Sequence, residues 1–317
     1  MAILFDALMN DLHTPAVRDL AWVIGSPCLL DANDAAYAGR VVDDAWCAQQ
    51  LQACAPWLAD LDRDPAGLHD FIAARPTRRL GHYFESLIAF WLANRPDTQI
   101  IATNLQVQDT ERTLGEFDFL FRDDNATVCH WEAAVKFYLQ AEPVAEPRAF
   151  IGPGARDRLD LKLNRVFTHQ LELGKSAEGR AALPAGITLD KAQAFIKGML
   201  FFPATQGENF SAPRTVIPGV SSTRLCGWWT RHPLEKLPYA TESSRWVIVP
   251  RLGWLSPARL TAEGAVMTHQ EIGAVLDEHF SGSTEAMLVT QVKKNAQGDW
   301  QEASRGFVVG SAWPTIN

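Results

Sequence analysis

The chain has 317 residues, 47% hydrophobic and 21% charged, enough for one large or two ordinary domains with ample core. Its formal net charge of -8 argues against strong non-specific duplex binding, which needs a basic footprint, while leaving room for a local basic groove. Cys28, Cys47, Cys54, Cys129 and Cys226 form no CxxC pair and no metal-ligand spacing with histidine, the first residues carry no basic leader, and there is no run of about 18 apolar residues, so we expect reduced thiols, a cytoplasmic location and no membrane span.

Residues 1–74 read as a helical segment. One helix carries Leu12, Val17, Leu20, Ala21 and Ile24, and another carries Trp46, Leu51, Cys54, Trp57 and Leu61. Pro15, Pro27, Pro56 and Pro65 punctuate them. No chemistry is visible there. A stronger helix follows over 75–94, with Thr77 as its expected cap and a stripe of Leu80, Phe84, Leu87 and Trp91. Glu85 lies on the adjacent strip beside Gly81, Ala89 and Leu92. A carboxylate on a mostly apolar strip needs a partner or water.

Thr98 to Gln108 alternates and reads as a strand. Leu114 to Tyr138 reads as a β-hairpin around the polar turn Arg122 to Thr127. Alternation puts Phe117, Phe119 and Phe121 on one face of its first arm, with Glu116 and Asp118 on the other. In the second arm Trp131, Ala133, Val135 and Phe137 share a face, and His130, Glu132, Ala134, Lys136 and Tyr138 share the opposite one. With the turn centred near Asp124 and Asn125, Asp118 falls across from Glu132 or diagonal to it. Carboxylates and a lysine then converge on one face of a sheet whose other face is apolar.

A proline-rich loop, Ala141 to Pro153, leads to an expected helix over 154–173. Its stripe is Leu159, Leu163, Val166, Gln170 and Leu173, and Arg156, Arg158, Lys162 and Arg165 make it the most basic helix of the chain. Gly174-Lys175-Ser176 lacks the upstream glycine of a phosphate loop and follows a helix, so that reading is rejected. Ile196 to Phe202 suits a buried strand. Residues 204–317 read as a strand-rich region with one amphipathic helix, His269 to Phe280. Its Trp228, Trp229, Trp246 and Trp254 are read as core in preference to a base-stacking platform, because basic residues are sparse around them.

The expected fold is α/β (α+β). From Arg75 to Pro203 the order is helix, three strands, helix, strand, with GEFDF on the second strand and a lysine on the third. This αβββαβ core resembles the PD-(D/E)xK, or restriction-endonuclease-like, nucleases. TLGEFDFLF, HWEAAVKFYL and DRLDLKL are also similar to an uncharacterised bacterial family assigned to that superfamily. The resemblance implies that Asp118 is the metal-binding aspartate and Lys136 the lysine that acts on the attacking water. It implies that Glu85 is the helix-borne acid, Gln170 the helix glutamine and Glu132 the remaining acid. The implied ligands of one or two Mg²⁺ or Mn²⁺ ions are Asp118, Glu132 and Glu85. The implied partner is nucleic acid, DNA in preference to RNA.

The chemistry is consistent with those residue types. Phosphodiester hydrolysis needs an activated water and neutralisation of charge at phosphorus, which metal ions on carboxylates supply and an ammonium assists. Oxygen ligands without a Cys or His cluster favour Mg²⁺ or Mn²⁺ over Zn²⁺. The sequence also departs from the pattern. Ala134 stands where the acid two residues before the lysine is usual, Glu132 is about 6.5 Å further along the strand, and Phe117 replaces the proline. The alternative is therefore a catalytically silent nuclease fold used as a binding or assembly module.

Overall fold

The protein is described by a computed structural model covering residues 2–205, 210–213, 215–261 and 266–314. Helices α1 (Ala2–Asp11), α2 (Pro15–Gly25), α3 (Asp44–Arg63) and α4 (Ala66–Ala73) precede α5 (Leu80–Ala93). Pro15 opens α2, where its missing N–H is no loss. Pro56, expected as punctuation, lies inside α3, which continues past it and buries Leu51 and Leu58 on either side. Thr77 does not cap α5. It accepts a hydrogen bond from the Arg79 N–H at 3.0 Å, and the helix starts only at Leu80.

The fold is mixed α/β. After α5 come β1 (Gln99–Gln108), β2 (Thr113–Arg122), β3 (Val128–Gln140), the short β4 (Phe150–Ile151), α6 (Leu159–Arg165), α7 (Ala177–Ala182) and β5 (Lys191–Pro203). Contacts divide the chain into two units. The first holds Met1–Val135, Asp160–Gly198 and Gly219–Thr223, and the second holds Lys136–Leu159, Met199–Pro218 and Arg224–Asn317. β3 and β5 each begin in the first unit and end in the second.

In the first unit β1, β2, β3 and β5 are neighbours in that order. β1 pairs antiparallel with β2 from Gln99 opposite Arg122 to Gln108 opposite Thr113. β2 pairs antiparallel with β3 from Arg122 opposite Val128 to Phe119 opposite Trp131. The hairpin turn is the expected one. Asp123 Oδ1 accepts from the N–H groups of Asn125 and Thr127, and Ala126 takes a positive φ of 61°.

The apolar face of the hairpin packs under α5. Trp131 stacks on Phe195 at 4.7 Å and meets Phe121 edge-on at 4.9 Å, while Trp91 and Phe84 of α5 reach Trp131 and Phe195. Phe117 does not join this face. Its ring meets His130 at 4.9 Å, and it clusters with Leu120, Val107 and Leu173. The change of face falls where the β2–β3 ladder ends, at Phe119 opposite Trp131. On β1, Asn104, between the pairs Thr103–Phe119 and Leu105–Phe117, adopts a left-handed φ of 52°.

The expected helix over 154–173 is shorter. α6 ends at Arg165, Val166–Gln170 form a π-helical turn, and Leu173–Lys175 a 3-10 turn. In the second unit β6 (Leu225–Arg231) lies parallel to the end of β5 and to β10 (Trp300–Val309). β9 (Met287–Lys294) is antiparallel to β10 and to β7 (Arg245–Val249), and β8 (Arg259–Leu260) pairs with β10. α8 (His269–Gly282) starts with a full capping box of Thr268 and Glu271. Trp228 and Trp246 are buried with Ile272, Leu276, Val289 and Val308, as the core reading expects. Among the described residues no helix is long and apolar enough to cross a membrane.

Candidate functional site

β2 and β3 stop pairing at Phe119–Trp131, and the next β2 residue toward the N-terminus is Asp118. Its side chain takes over there. Asp118 Oδ2 accepts the Ala133 N–H at 2.8 Å, a carboxylate standing in for a ladder acceptor. Asp118 is buried. Burial first, then the neighbouring Glu132, Glu85 and Glu116, push its carboxyl up to about 8, against the Ala133 N–H, which favours the charged form.

Glu132 comes from β3 and is 2% exposed. Its Oε1 accepts from the Lys162 ammonium at 3.0 Å. Its Oε2 is buried and has no hydrogen-bond partner among the described residues. Glu85 approaches from α5 and is half-buried. Burial, then Glu116 and Glu132, push it up to about 7, with Lys162 opposing. Glu116, exposed on β2, completes the group. Four carboxylates from one helix and two adjacent strands thus sense one another, and one ammonium acts on two of them, Glu132 and Glu85.

That ammonium belongs to Lys162 of α6. Its Nζ donates both to Glu132 and to Gln170 Oε1, the latter at 3.2 Å. The stripe of α6 explains its reach. Lys162 precedes the buried Leu163, so it sits at the border of the packed face and extends its ammonium past it. The wider π-helical turn carries Gln170 back toward the line of Lys162, which a continuous α-helix would have rotated away. The sequence shows Lys162 only as one basic residue among several, and its position beside Leu163 was the one local signal of inward reach.

Lys136, the expected lysine of the site, falls in the second unit. Its Nζ pairs with Asp157 Oδ2 at 2.5 Å, and Tyr138 Oη donates to the same oxygen at 3.1 Å. Ala134 is buried. His130, on β3, is fully buried with neither ring nitrogen hydrogen-bonded among the described residues. Burial holds it down at about 4, so it is a neutral imidazole in an apolar cluster.

A family model described as "Domain of unknown function (DUF1853)" matches residues 18–309. The chain belongs to that family. The matched span takes in Glu85, Asp118, Glu132, Lys162 and Gln170, so the whole cluster lies within the family's domain. Neither a curated protein nor a solved structure gives a match.

The cluster's fit to a divalent ion follows from the chemistry of its donors. Among the described residues no three such side chains already stand as a finished coordination shell. The donors are nevertheless all carboxylate oxygens, one of them buried without a partner. The group carries more negative than positive charge, and two members are pushed toward protonation by that imbalance. A hard divalent cation would relieve each of these costs, so the residues fit Mg²⁺ or Mn²⁺.

Proposed function

We propose that this member of the family is a metal-dependent phosphodiester hydrolase, a nuclease acting on DNA in preference to RNA. The observation that carries the reading is the convergence of Glu85, Asp118 and Glu132, from a helix and two adjacent strands, with the Lys162 ammonium bonded to Glu132 and acting on Glu85. The order α5, β1, β2, β3, α6, β5 supports a likeness to the PD-(D/E)xK nucleases. In this reading Asp118 and Glu132 hold the ion, with Glu85 beside them. A bound Mg²⁺ or Mn²⁺ would supply an acidified water and offset charge at phosphorus. Asp118 is fixed by the Ala133 N–H, so one of its oxygens is anchored and the other is left for a ligand. Lys162 pairs with Glu132 and offers N–H donors to an anionic substrate, and Gln170 steadies it. This gives to Lys162 the part that the sequence pattern gives to Lys136.

The test is cleavage of single-stranded, duplex and branched DNA and of RNA in Mg²⁺ and in Mn²⁺. Activity is expected, and its loss in Asp118→Asn, Glu132→Gln and Lys162→Met at unchanged fold. A wild-type protein that cleaves none of these substrates in either ion overturns the reading.

One observation favours a second reading, a silent nuclease fold that binds without cutting. The Lys162 ammonium already occupies the coulombic role of a cation at Glu132, and Ala134 leaves the usual acid position empty. In that case titration calorimetry with Mn²⁺ shows no binding that depends on Asp118, while nucleic acid or a protein partner is still retained.

A further inference from the structure

Away from the carboxylates, the first unit buries a second group of reactive side chains. Cys28 follows α2, Cys47 sits one turn into α3, and Lys197 lies on β5 as the bridge partner of Cys28. The two sulfurs are 3.8 Å apart, and Lys197 Nζ is 3.3 Å from Cys47 Sγ. Lys197 is 0% exposed. Its ammonium donates also to the Ser26 carbonyl and lies 5.0 Å above the Phe195 ring.

A buried ammonium needs a negative partner. The Ser26 carbonyl and the Phe195 ring are neutral. The nearby Asp44 is committed elsewhere, with Oδ1 accepting from the Cys28 N–H at 2.6 Å and Oδ2 from the hydroxyls of Ser221 and Thr223. Of the groups bonded to Lys197 Nζ, Cys47 alone can carry a negative charge. The Cys28 thiol and the Lys197 ammonium both favour its thiolate, holding Cys47 at about 7, while Cys28 is raised and stays a thiol. A thiolate in contact with a thiol is the arrangement from which a disulfide forms.

We propose that Cys28 and Cys47 are a reversible oxidation site that a hydroperoxide converts to a disulfide. The Cys47 thiolate attacks the O–O bond. An S–O bond forms, and the departing oxygen leaves with the bonding pair and takes a proton from Lys197, giving the alcohol or water. The Cys28 sulfur then attacks the Cys47 sulfenic acid. The S–S bond forms, the S–O bond breaks, and hydroxide leaves with the Cys28 proton as water. The two sulfurs give up the two electrons that reduce the hydroperoxide. Lys197 ends neutral, as a buried amine without a counter-ion should. The sulfurs close from 3.8 Å to a bonded separation of about 2.05 Å.

The test treats the native full-length protein with hydrogen peroxide, alkylates the remaining thiols and identifies peptides by mass. A Cys28–Cys47 crosslink lacking two hydrogens and reversed by dithiothreitol is expected. In Cys28→Ala, dimedone should trap the sulfenic acid on Cys47. Lys197→Met should slow oxidation about tenfold, because the loss of thiolate is only partly offset by greater intrinsic nucleophilicity. Should that variant fail to fold, the Cys28→Ala trap still decides the matter. Recovery of Cys28 and Cys47 as free thiols at a peroxide dose that oxidises glutathione, or pairing of Cys47 with another cysteine, overturns the proposal.

Discussion

Lys162 and Glu132 form an ion pair at 3.0 Å in which the lysine side chain is 14% exposed and the glutamate 2%. The two residues are thirty apart in sequence, on different elements. The asymmetry matters. If the lysine is removed, the glutamate loses its ion-pair partner in a place water barely reaches. If the glutamate is neutralised, the lysine keeps Gln170 and an exit to solvent.

Lys162→Met is therefore expected to destabilise the fold by about 3 kcal/mol, and Glu132→Gln by about 1 kcal/mol or less. Urea unfolding at neutral pH checks both. Equal costs would show that Glu132 is better solvated than its burial implies. Under the proposed function Lys162→Met also lowers cleavage by about 10²-fold or more.

Lys136 provides the contrast. Its pair with Asp157 is partly exposed, at 29% and 37% for the two side chains, and solvent screens it. Lys136→Ala should cost at most about 1 kcal/mol and reduce cleavage less than Lys162→Met does. A larger loss of activity in Lys136→Ala returns the catalytic lysine to the position that the sequence pattern implies.

Asp118 sets a pH dependence of stability. Its folded pKa is raised from an ordinary 3.8 to about 8, so the folded state retains a proton that the unfolded state gives up. Stability from this group is full below about 4 and falls as pH rises toward 8. Asp118→Asn, whose amide oxygen can still accept the Ala133 N–H, should flatten that decline. Unfolding midpoints at pH 5 and pH 9 measure it, and an unchanged slope in the variant refutes it. Glu85, raised to about 7, acts in the same sense. Binding of Mn²⁺ to the cluster should accordingly release protons, seen as a dependence of the calorimetric heat on the buffer.

His130 has the opposite sign. Its folded value is lowered from 6.5 to about 4, so stability is lost as pH falls through that interval, on the order of 3 kcal/mol at the bottom. Neither ring nitrogen has a hydrogen-bond partner to lose among the described residues. His130→Leu should therefore be at least as stable as the wild type at pH 7 and less sensitive to acid. A loss of several kcal/mol at pH 7 would show that an ordered water satisfies the ring.

What was legible in the sequence is local and periodic. The alternation of Phe119, Phe121 and Trp131, the stripe of Leu80, Phe84, Leu87 and Trp91, and the polar turn at Asp123 to Thr127 each specify an element and its buried face. Those features rest on repeat distances within one strand or helix. The same alternation pointed to Asp118 and Glu132 as neighbours, and the cluster contains both.

Three features were decided by tertiary structure. Phe117 leaves its expected face where the β2–β3 ladder ends, and packs with Leu120, Val107 and Leu173. Gln170 meets Lys162 because the helix widens into a π-turn under packing. The cation at the carboxylates is Lys162 because the fold brings its ammonium from α6 to Glu132 on β3, joining residues thirty apart with no shared period. The chain by itself determined which side chains could do chemistry and on which element each stood. Packing between elements decided which of them meet, because a buried charge takes its partner from whatever neighbouring surface covers it, and that neighbour is set by the fold.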